Sequence, residues 1–207
     1  MVAFLKKILA IGFLLLATTQ FLQAQSLEIM PGNEHVFADL QWLKPFDSQY
    51  RWSLFSRTRM TVDWDNRANL FSGAYLNRTT KSGIGASLVG KVSQTTGAGA
   101  DAGAHVFKSK PSWMLFGLAT VGLKEELEYS WFSILRFTPK INERWKWYTS
   151  LELFHLFNKN GHAFSVERIR LGVDCDGYQF GLAANLQQVG TDFNASENWG
   201  GFVRKSF

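Results

Sequence analysis

The sequence predicts an all-β fold, a closed antiparallel transmembrane β-barrel of ten strands, with twelve strands as the alternative. Three observations favour this fold class. Apolar and polar side chains alternate along most of the chain, and the 207 residues include eight Trp, five Tyr and eighteen Phe. In addition, no apolar run reaches the ~20 residues that a spanning helix needs. Aromatic residues in such number are typical of the girdles at the two membrane interfaces of a barrel.

The N-terminal segment has the features of an export signal. Lys6 and Lys7 precede an apolar run over 8–17, and Ala24 is a small residue at the expected cleavage site. The run is too short to be retained as a spanning helix. We therefore predict a signal peptide over 1–24 and a single barrel domain over 25–207, because the remaining length suits one domain and is short for two.

Charge and cysteine content argue against several classes of partner. The formal net charge of +5 includes the two lysines of the signal segment, and the mild excess that remains does not indicate nucleic-acid binding. The single thiol, Cys175, cannot form an internal disulfide. The histidines are scattered along the chain, whereas metal sites need several ligands close together. We predict no metal site, no cofactor and no nucleic-acid partner.

The alternation is clearest in two segments. Over 145–153, Trp145, Trp147 and Leu151 share one face, and the opposite face carries lysine and glutamate. Over 50–62, the polar face carries Arg57 and Arg59. Because successive side chains of a strand point to opposite faces, each segment is predicted to be a strand with one apolar and one polar face.

The same period predicts ten strands, with short connections alternating with longer ones such as 188–197, as periplasmic turns alternate with outer loops. The segment 35–43 also alternates and looks like an eleventh strand. Because bacterial single-chain barrels have an even number of strands, a twelfth is then required, and 26–30 is a short candidate. Ten and twelve strands both stay open. The ten strands are expected near 50–62, 69–79, 82–93, 97–108, 112–123, 129–138, 144–157, 163–174, 177–188 and 198–207.

The C-terminal residues carry a barrel-closure pattern formed by Trp199, Val203 and Phe207. This pattern resembles the closing strand of bacterial outer-membrane β-barrel proteins, which typically ends in an aromatic residue with apolar residues at alternating positions before it. The last strand must pair with the first to remove both sheet edges, while its outer face meets lipid. With its leader and its alternating segments, the chain is similar to small outer-membrane proteins of Bacteroidota. The resemblance implies a place in the cell outer membrane, contact with its lipid, and insertion by the barrel-assembly machinery.

The inward face is predicted to be basic. A charged side chain that faces lipid near the midplane costs about 2–4 kcal/mol, so inward placement is expected in any such barrel. A basic lumen favours a porin-like passive channel for small solutes with an anion bias. The alternative is a lumen plugged by Arg–carboxylate pairs, in a structural or interaction barrel that is an accessory of a larger envelope assembly and has envelope protein partners. The predicted lumen-lining charges are Arg51, Arg57, Arg59, Lys91, Asp101, Arg136, Lys146, Glu152, Arg168, Arg170 and Arg204.

The sequence predicts no catalytic residues. A hydrolase acting on lipid would need a serine, a histidine and an acid within hydrogen-bond reach, and His162 and Ser165 lie near Glu167. Their spacing, however, does not fix a nucleophile against a base. Asp101 and His105 share one face, but at about 3.3 Å per residue they stand about 13 Å apart. We therefore expect that the chain is not an enzyme.

Overall fold

A computed structural model describes residues 26–49, 51–124 and 126–207, so the predicted signal peptide over 1–24 lies outside the described residues. No helix in the described ranges is long and apolar enough to cross a membrane. The strands are β1 (Ser26–Pro31), β2 (His35–Pro45), β3 (Trp52–Asp63), β4 (Ala68–Thr79), β5 (Ile84–Ser93), β6 (Gly97–Lys110), β7 (Trp113–Gly122), β8 (Glu128–Phe137), β9 (Trp145–Asn158), β10 (Gly161–Cys175), β11 (Tyr178–Val189) and β12 (Asn194–Ser206). They form one antiparallel barrel in chain order, closed by pairing of β1 with β12.

The prediction of a closed antiparallel β-barrel is confirmed, with twelve strands as in the alternative and not ten. Each of the ten predicted strands corresponds to one of the strands β3 to β12. The additional pair is β1 and β2, which lie against each other along all six residues of β1. A strand of six residues is short for the membrane, and this is why the sequence left ten and twelve open.

The expectation of a long outer loop over 188–197 is wrong. Strand β11 continues to Val189 and β12 begins at Asn194, so a turn of residues 190–193 joins them. Residues 194–196, which include the polar Asn194 and Ser196, pair with 187–189 across the hairpin, because a ladder of backbone hydrogen bonds does not require apolar side chains. We use "terminal end" for the barrel end that holds Ser26 and Phe207, and "opposite end" for the other.

The seam between the first and last strands combines a short ladder with side-chain hydrogen bonds. β1 and β12 pair over only four residues, from Ser26 to Ile29. Beyond this ladder, the Asn198 side chain accepts the backbone N–H groups of Glu34 and His35 at 2.9 and 3.1 Å, and it donates to the His35 carbonyl at 3.1 Å. These bonds replace the ladder bonds that the short β1 does not provide, and they let a six-residue strand close the barrel.

The outer wall is apolar. Leu171 and Leu182 on the outer face are 53% and 72% exposed, as expected of side chains that contact lipid. Aromatic side chains of the same wall gather towards the strand ends, where they suit the membrane interfaces. At the terminal end the exposed ones are Trp52, Phe137, Trp145, Trp147, Tyr178 and Phe180, and towards the opposite end they are Tyr129, Trp131, Phe193 and Trp199.

Candidate functional site

An ion pair crosses the lumen from wall to wall. Arg57 on β3 places Nη2 2.5 Å from Asp39 Oδ2 on the neighbouring β2, and Nη1 2.6 Å from Glu152 Oε2 on β9. Strands β3 and β9 are six positions apart in a barrel of twelve, so they stand on opposite sides. The Arg57 residue is only 3% exposed. The pair therefore spans the interior at its full width.

Glu152 is the centre of this group. Its Oε1 also lies 2.5 Å from Arg59 Nη2 and 2.5 Å from Arg168 Nη1, so three arginines share one carboxylate. A carboxylate has about four lone-pair sites, and Glu152 can accept all three cations. Charge-assisted hydrogen bonds of this kind are about twice as strong as neutral ones.

A second group adjoins the first. Arg170 Nη2 on β10 lies 2.8 Å from Glu28 Oε1 on β1, and Arg204 Nη1 on β12 lies 3.7 Å from Glu28 Oε2. The Phe37 ring lies 5.1 Å from the guanidinium of Arg168 and 5.7 Å from that of Arg170, within the range of cation–π attraction. We call the two groups together the charged network. Its members are Glu28, Asp39, Arg57, Arg59, Glu152, Arg168, Arg170 and Arg204.

The charged network leaves little open space. The void between its side chains is about 20 Å³, and a cavity needs about 10–15 Å³ to hold one water. The charges around this void do not balance. Five arginines line it with three acids, so the interior keeps a positive excess. The five are Arg57, Arg136, Arg168, Arg170 and Arg204, and the acids are Glu28, Asp39 and Glu152.

A larger cavity of about 510 Å³ lies on the terminal-end side of the charged network. It extends to Ser206 and Phe207, at the end of the last strand. Its walls are mainly apolar and include Phe55, Phe116 and Ile134. We call it the terminal-end cavity. Four residues line both the cavity and the void of the charged network, and they form the floor between the two: Gln41, Ile134, Arg136 and Arg204.

The barrel wall beside the cavity is packed rather than charged. Val89, Leu118, Phe132 and Ile134 form a buried apolar cluster on strands β5, β7 and β8. The polar side chains nearby are bonded to one another. His105 Nδ1 lies 2.7 Å from Ser87 Oγ, and its Nε2 lies 2.9 Å from Thr79 Oγ1. These polar groups therefore have hydrogen-bond partners within the protein and need none from a ligand.

The other residues predicted to line the lumen fall into three situations. Lys91 and Asp101 face inward and pair at 2.6 Å. Lys146 shares the inward side of β9 with Glu152 by alternation. Arg51, by contrast, lies in the turn before β3 with its side chain 58% exposed, and it contacts Asp47 in the same turn. The period that predicted it to be inward stops at the strand end, so Arg51 lies outside the interior.

The predicted barrel-closure residues lie at two kinds of position. Trp199 and Val203 stand on the outer wall and are 53% and 59% exposed. Phe207 follows the last residue of β12 and contributes to the lining of the terminal-end cavity. Because β12 ends at Ser206, the side chain of Phe207 is not bound by strand alternation.

The serine and histidine considered for a hydrolase are not bonded to each other among the described residues. Ser165 Oγ donates to Gln188 Oε1 at 3.2 Å, and His162 Nδ1 lies 2.8 Å from the Gly190 carbonyl. The register instead brings His155 opposite Ser165 on the neighbouring strand. The described residues contain no group of three metal-ligating side chains. The absence of enzymatic activity stays a prediction.

Two acids of the charged network are missing from the predicted set. Asp39 is 2% exposed and Glu28 is 4% exposed, and both belong to the two strands outside the ten that were counted. Asp39 shares one face of β2 with Phe37 and Gln41, which lie two positions before and after it. That pattern was a usable signal for the inward position of Asp39, while β1 is too short for its alternation to identify Glu28.

Comparison with known proteins identifies the fold. No family model matches the chain, and no curated protein matches it in sequence. Among solved structures it is similar to the KdgM porin in complex with disordered oligogalacturonate, with a TM-score of 0.51 and 9% identity over 88% of this chain and 98% of that one. LpxR from Salmonella typhimurium gives a TM-score of 0.49 and 9% identity, over 88% and 100% of the two chains. The chain thus has the fold of outer-membrane β-barrels, and the expected similarity to proteins of Bacteroidota stays a prediction.

Proposed function

We propose that this chain is an outer-membrane barrel whose lumen is closed to solutes, and that it has a structural or interaction role in the envelope. The observation that carries the proposal is the Arg57–Glu152 ion pair at 2.6 Å, which joins β3 to β9 across the interior. An open pore needs free width at its narrowest level. Here that level is filled by paired side chains.

The pairing also makes the closure stable. Asp39 and Glu152 each contact more than one arginine. Removing one partner of a buried pair is strongly unfavourable, because it leaves an uncompensated charge. Opening the lumen would require several such contacts to break together. A small barrel with a side-chain-filled interior is also the ordinary arrangement for few strands.

A second candidate function is a narrow channel with an anion bias. The positive excess around the network void, five arginines with three acids, favours it, because rings of Arg or Lys select anions. This candidate requires the charged network to rearrange. The two candidates therefore differ in a directly measurable property, the conductance of the unmodified barrel.

The experiment is single-channel recording of the refolded barrel in a planar lipid bilayer. We expect no conductance steps from the unmodified protein. The double variant Arg57→Ser/Glu152→Ser should conduct, because it removes both partners of the cross-lumen pair. It removes one charge of each sign, so the positive excess remains, and the reversal potential in a salt gradient should indicate preference for anions.

The matched control is Lys91→Ser/Asp101→Ser. It removes an inward ion pair of the same length, but between the neighbouring strands β5 and β6. This control should show no conductance steps in the bilayer. Regular conductance steps from the unmodified barrel would contradict the closed lumen and favour the channel.

A further inference from the structure

Arg136, at the floor of the terminal-end cavity, has no ion-pair partner in the part of the chain that the structure describes. It lines both the cavity and the void of the charged network. Among the described residues no carboxylate oxygen lies within salt-bridge distance of it, whereas the other arginines around that void all have one. Its Nε is buried and has no hydrogen-bond partner in the same part of the chain. Its guanidinium carbon lies 5.7 Å from the Tyr148 ring.

An unpaired guanidinium in this position is costly. Arginine keeps its charge in proteins, and it presents five N–H donors in a fixed fork. Arg136 is partly buried, and withdrawing a charge from water without a partner is unfavourable. The surrounding positive excess makes the local field more favourable still for an anion. An anionic group would therefore complement Arg136 well.

The rest of the cavity lining indicates the chemical character of the remaining part of the ligand. The walls above Arg136 carry Phe55, Phe107, Met114 and Phe116, which offer apolar and aromatic surface. The polar groups of the wall, such as His105, already bond within the protein. A volume of about 510 Å³ falls within the range of about 300–1,000 Å³ that is usual for small-molecule sites.

We propose that the terminal-end cavity binds a small amphipathic carboxylate, with its head group on Arg136 and its apolar body along the aromatic wall. A carboxylate matches the guanidinium fork in a bidentate manner. The apolar body gains by leaving water for the aromatic wall. The ligand enters from the terminal end, where Ser53, Ser206 and Phe207 line the cavity.

The test is isothermal titration calorimetry with sodium octanoate on the refolded barrel in lipid nanodiscs, with empty nanodiscs as the blank for lipid partitioning. We expect a saturable signal of one octanoate per barrel. Arg136→Gln should weaken it by about tenfold or more, the loss expected for one charge-assisted contact. Lys146→Gln is the matched control, because Lys146 does not line the cavity, and it should bind as the unmodified barrel does. 1-Octanol should bind less tightly than octanoate.

A second variant covers the case in which Arg136→Gln does not refold. Ser53→Phe keeps the arginine and fills the cavity from its wall, and it should also weaken octanoate binding. Heat with octanoate equal to that of empty nanodiscs, or undiminished affinity in a folded Arg136→Gln or Ser53→Phe barrel, would overturn the proposal. A barrel that conducts ions but binds octanoate through Arg136 would overturn the closed lumen alone, so the two proposals fail separately.

Discussion

The interior of this barrel contains two regions that are built differently. Between β1–β3 and β9–β12, buried charges are neutralised by partners on distant strands, such as Arg57 with Glu152. Between β4 and β8, the inward side chains form an apolar cluster around Leu118 that adjoins the terminal-end cavity. The first region is filled by paired charges that reach across the lumen. The second is mainly apolar, carries the Lys91–Asp101 pair between neighbouring strands, and adjoins the cavity.

The two regions are stabilised by different interactions. A charge in the interior is tolerated only with a partner, so the network region depends on pairs that reach across the barrel. The apolar region depends on contacts between adjacent strands, and it tolerates a cavity because lost dispersion contacts cost less than an unpaired charge. Arg136 lies at the boundary between the two regions. Like the arginines of the network region it needs an anionic partner, but no described acid pairs with it.

The largest expected effect is that of Glu152→Gln, which breaks the network region. The amide keeps the shape of the side chain but leaves the three arginines around it without their shared anion. We expect a loss of about 3–5 kcal/mol in the free energy of unfolding, the usual cost of breaking a buried pair. Urea unfolding of the barrel in lipid vesicles, followed by tryptophan fluorescence, measures it.

The control for this variant is Asp101→Asn, also an inward acid. Asp101 has a single described cation partner, Lys91, whose side chain is 18% exposed and so retains some solvation. Its loss should therefore be clearly smaller. Equal losses in the two variants would contradict the view that shared, cross-lumen pairing distinguishes the network region.

The next effect concerns the apolar region. Leu118 is 2% exposed within its cluster, and Leu118→Ala should cost about 2 kcal/mol, at the lower end of the range for a buried leucine, because neighbours can relax towards the cavity. The same urea titration measures it. Leu182→Ala on the lipid-facing wall, where the residue is 72% exposed, is the control and should change little. A loss of unfolding free energy as large as that of Glu152→Gln would show that apolar packing stabilises this region as much as ion pairing stabilises the network region.

Local sequence was sufficient for much of the fold. Alternation identified ten of the strands and assigned the inward face of Arg57 and Glu152, because the side-chain period of a strand is a property of neighbouring residues. It did not decide between ten and twelve strands. The closure by a short β1 is supported by Asn198, whose bonds reach residues more than 160 positions away.

The site was less predictable, for the same physical reason. Alternation says that a residue points inward, but not which residue it meets there, because that depends on barrel circumference and strand stagger. Arg59 and Glu152 are 93 positions apart in the chain. Arg136 and Arg57 were placed in one predicted set, although one is paired on two sides and the other has no described acid partner.

The smallest expected effect lies in the turn at the terminal end between β2 and β3, the two strands of the network region that carry Asp39 and Arg57. The Asp47 carboxylate accepts the backbone N–H groups of Trp52, Arg51 and Gln49 at 2.8, 3.1 and 2.9 Å. These bonds, that from Trp52 foremost, hold the pKa of Asp47 below its ordinary value of 3.8.

Because the pKa is lowered in the folded state, the stabilisation by Asp47 is complete above the ordinary value and is lost as the pH falls through the lowered one. Asp47→Ala should therefore lower the urea midpoint near neutral pH, and the difference from the unmodified barrel should shrink as the solution is acidified below the ordinary value. Asp47→Asn keeps one oxygen acceptor but has no charge to titrate, so its difference from Asp47→Ala should not change with pH. If the gap between the unmodified barrel and Asp47→Ala stays constant on acidification, the turn is held by its neighbours in the sheet and not by the carboxylate.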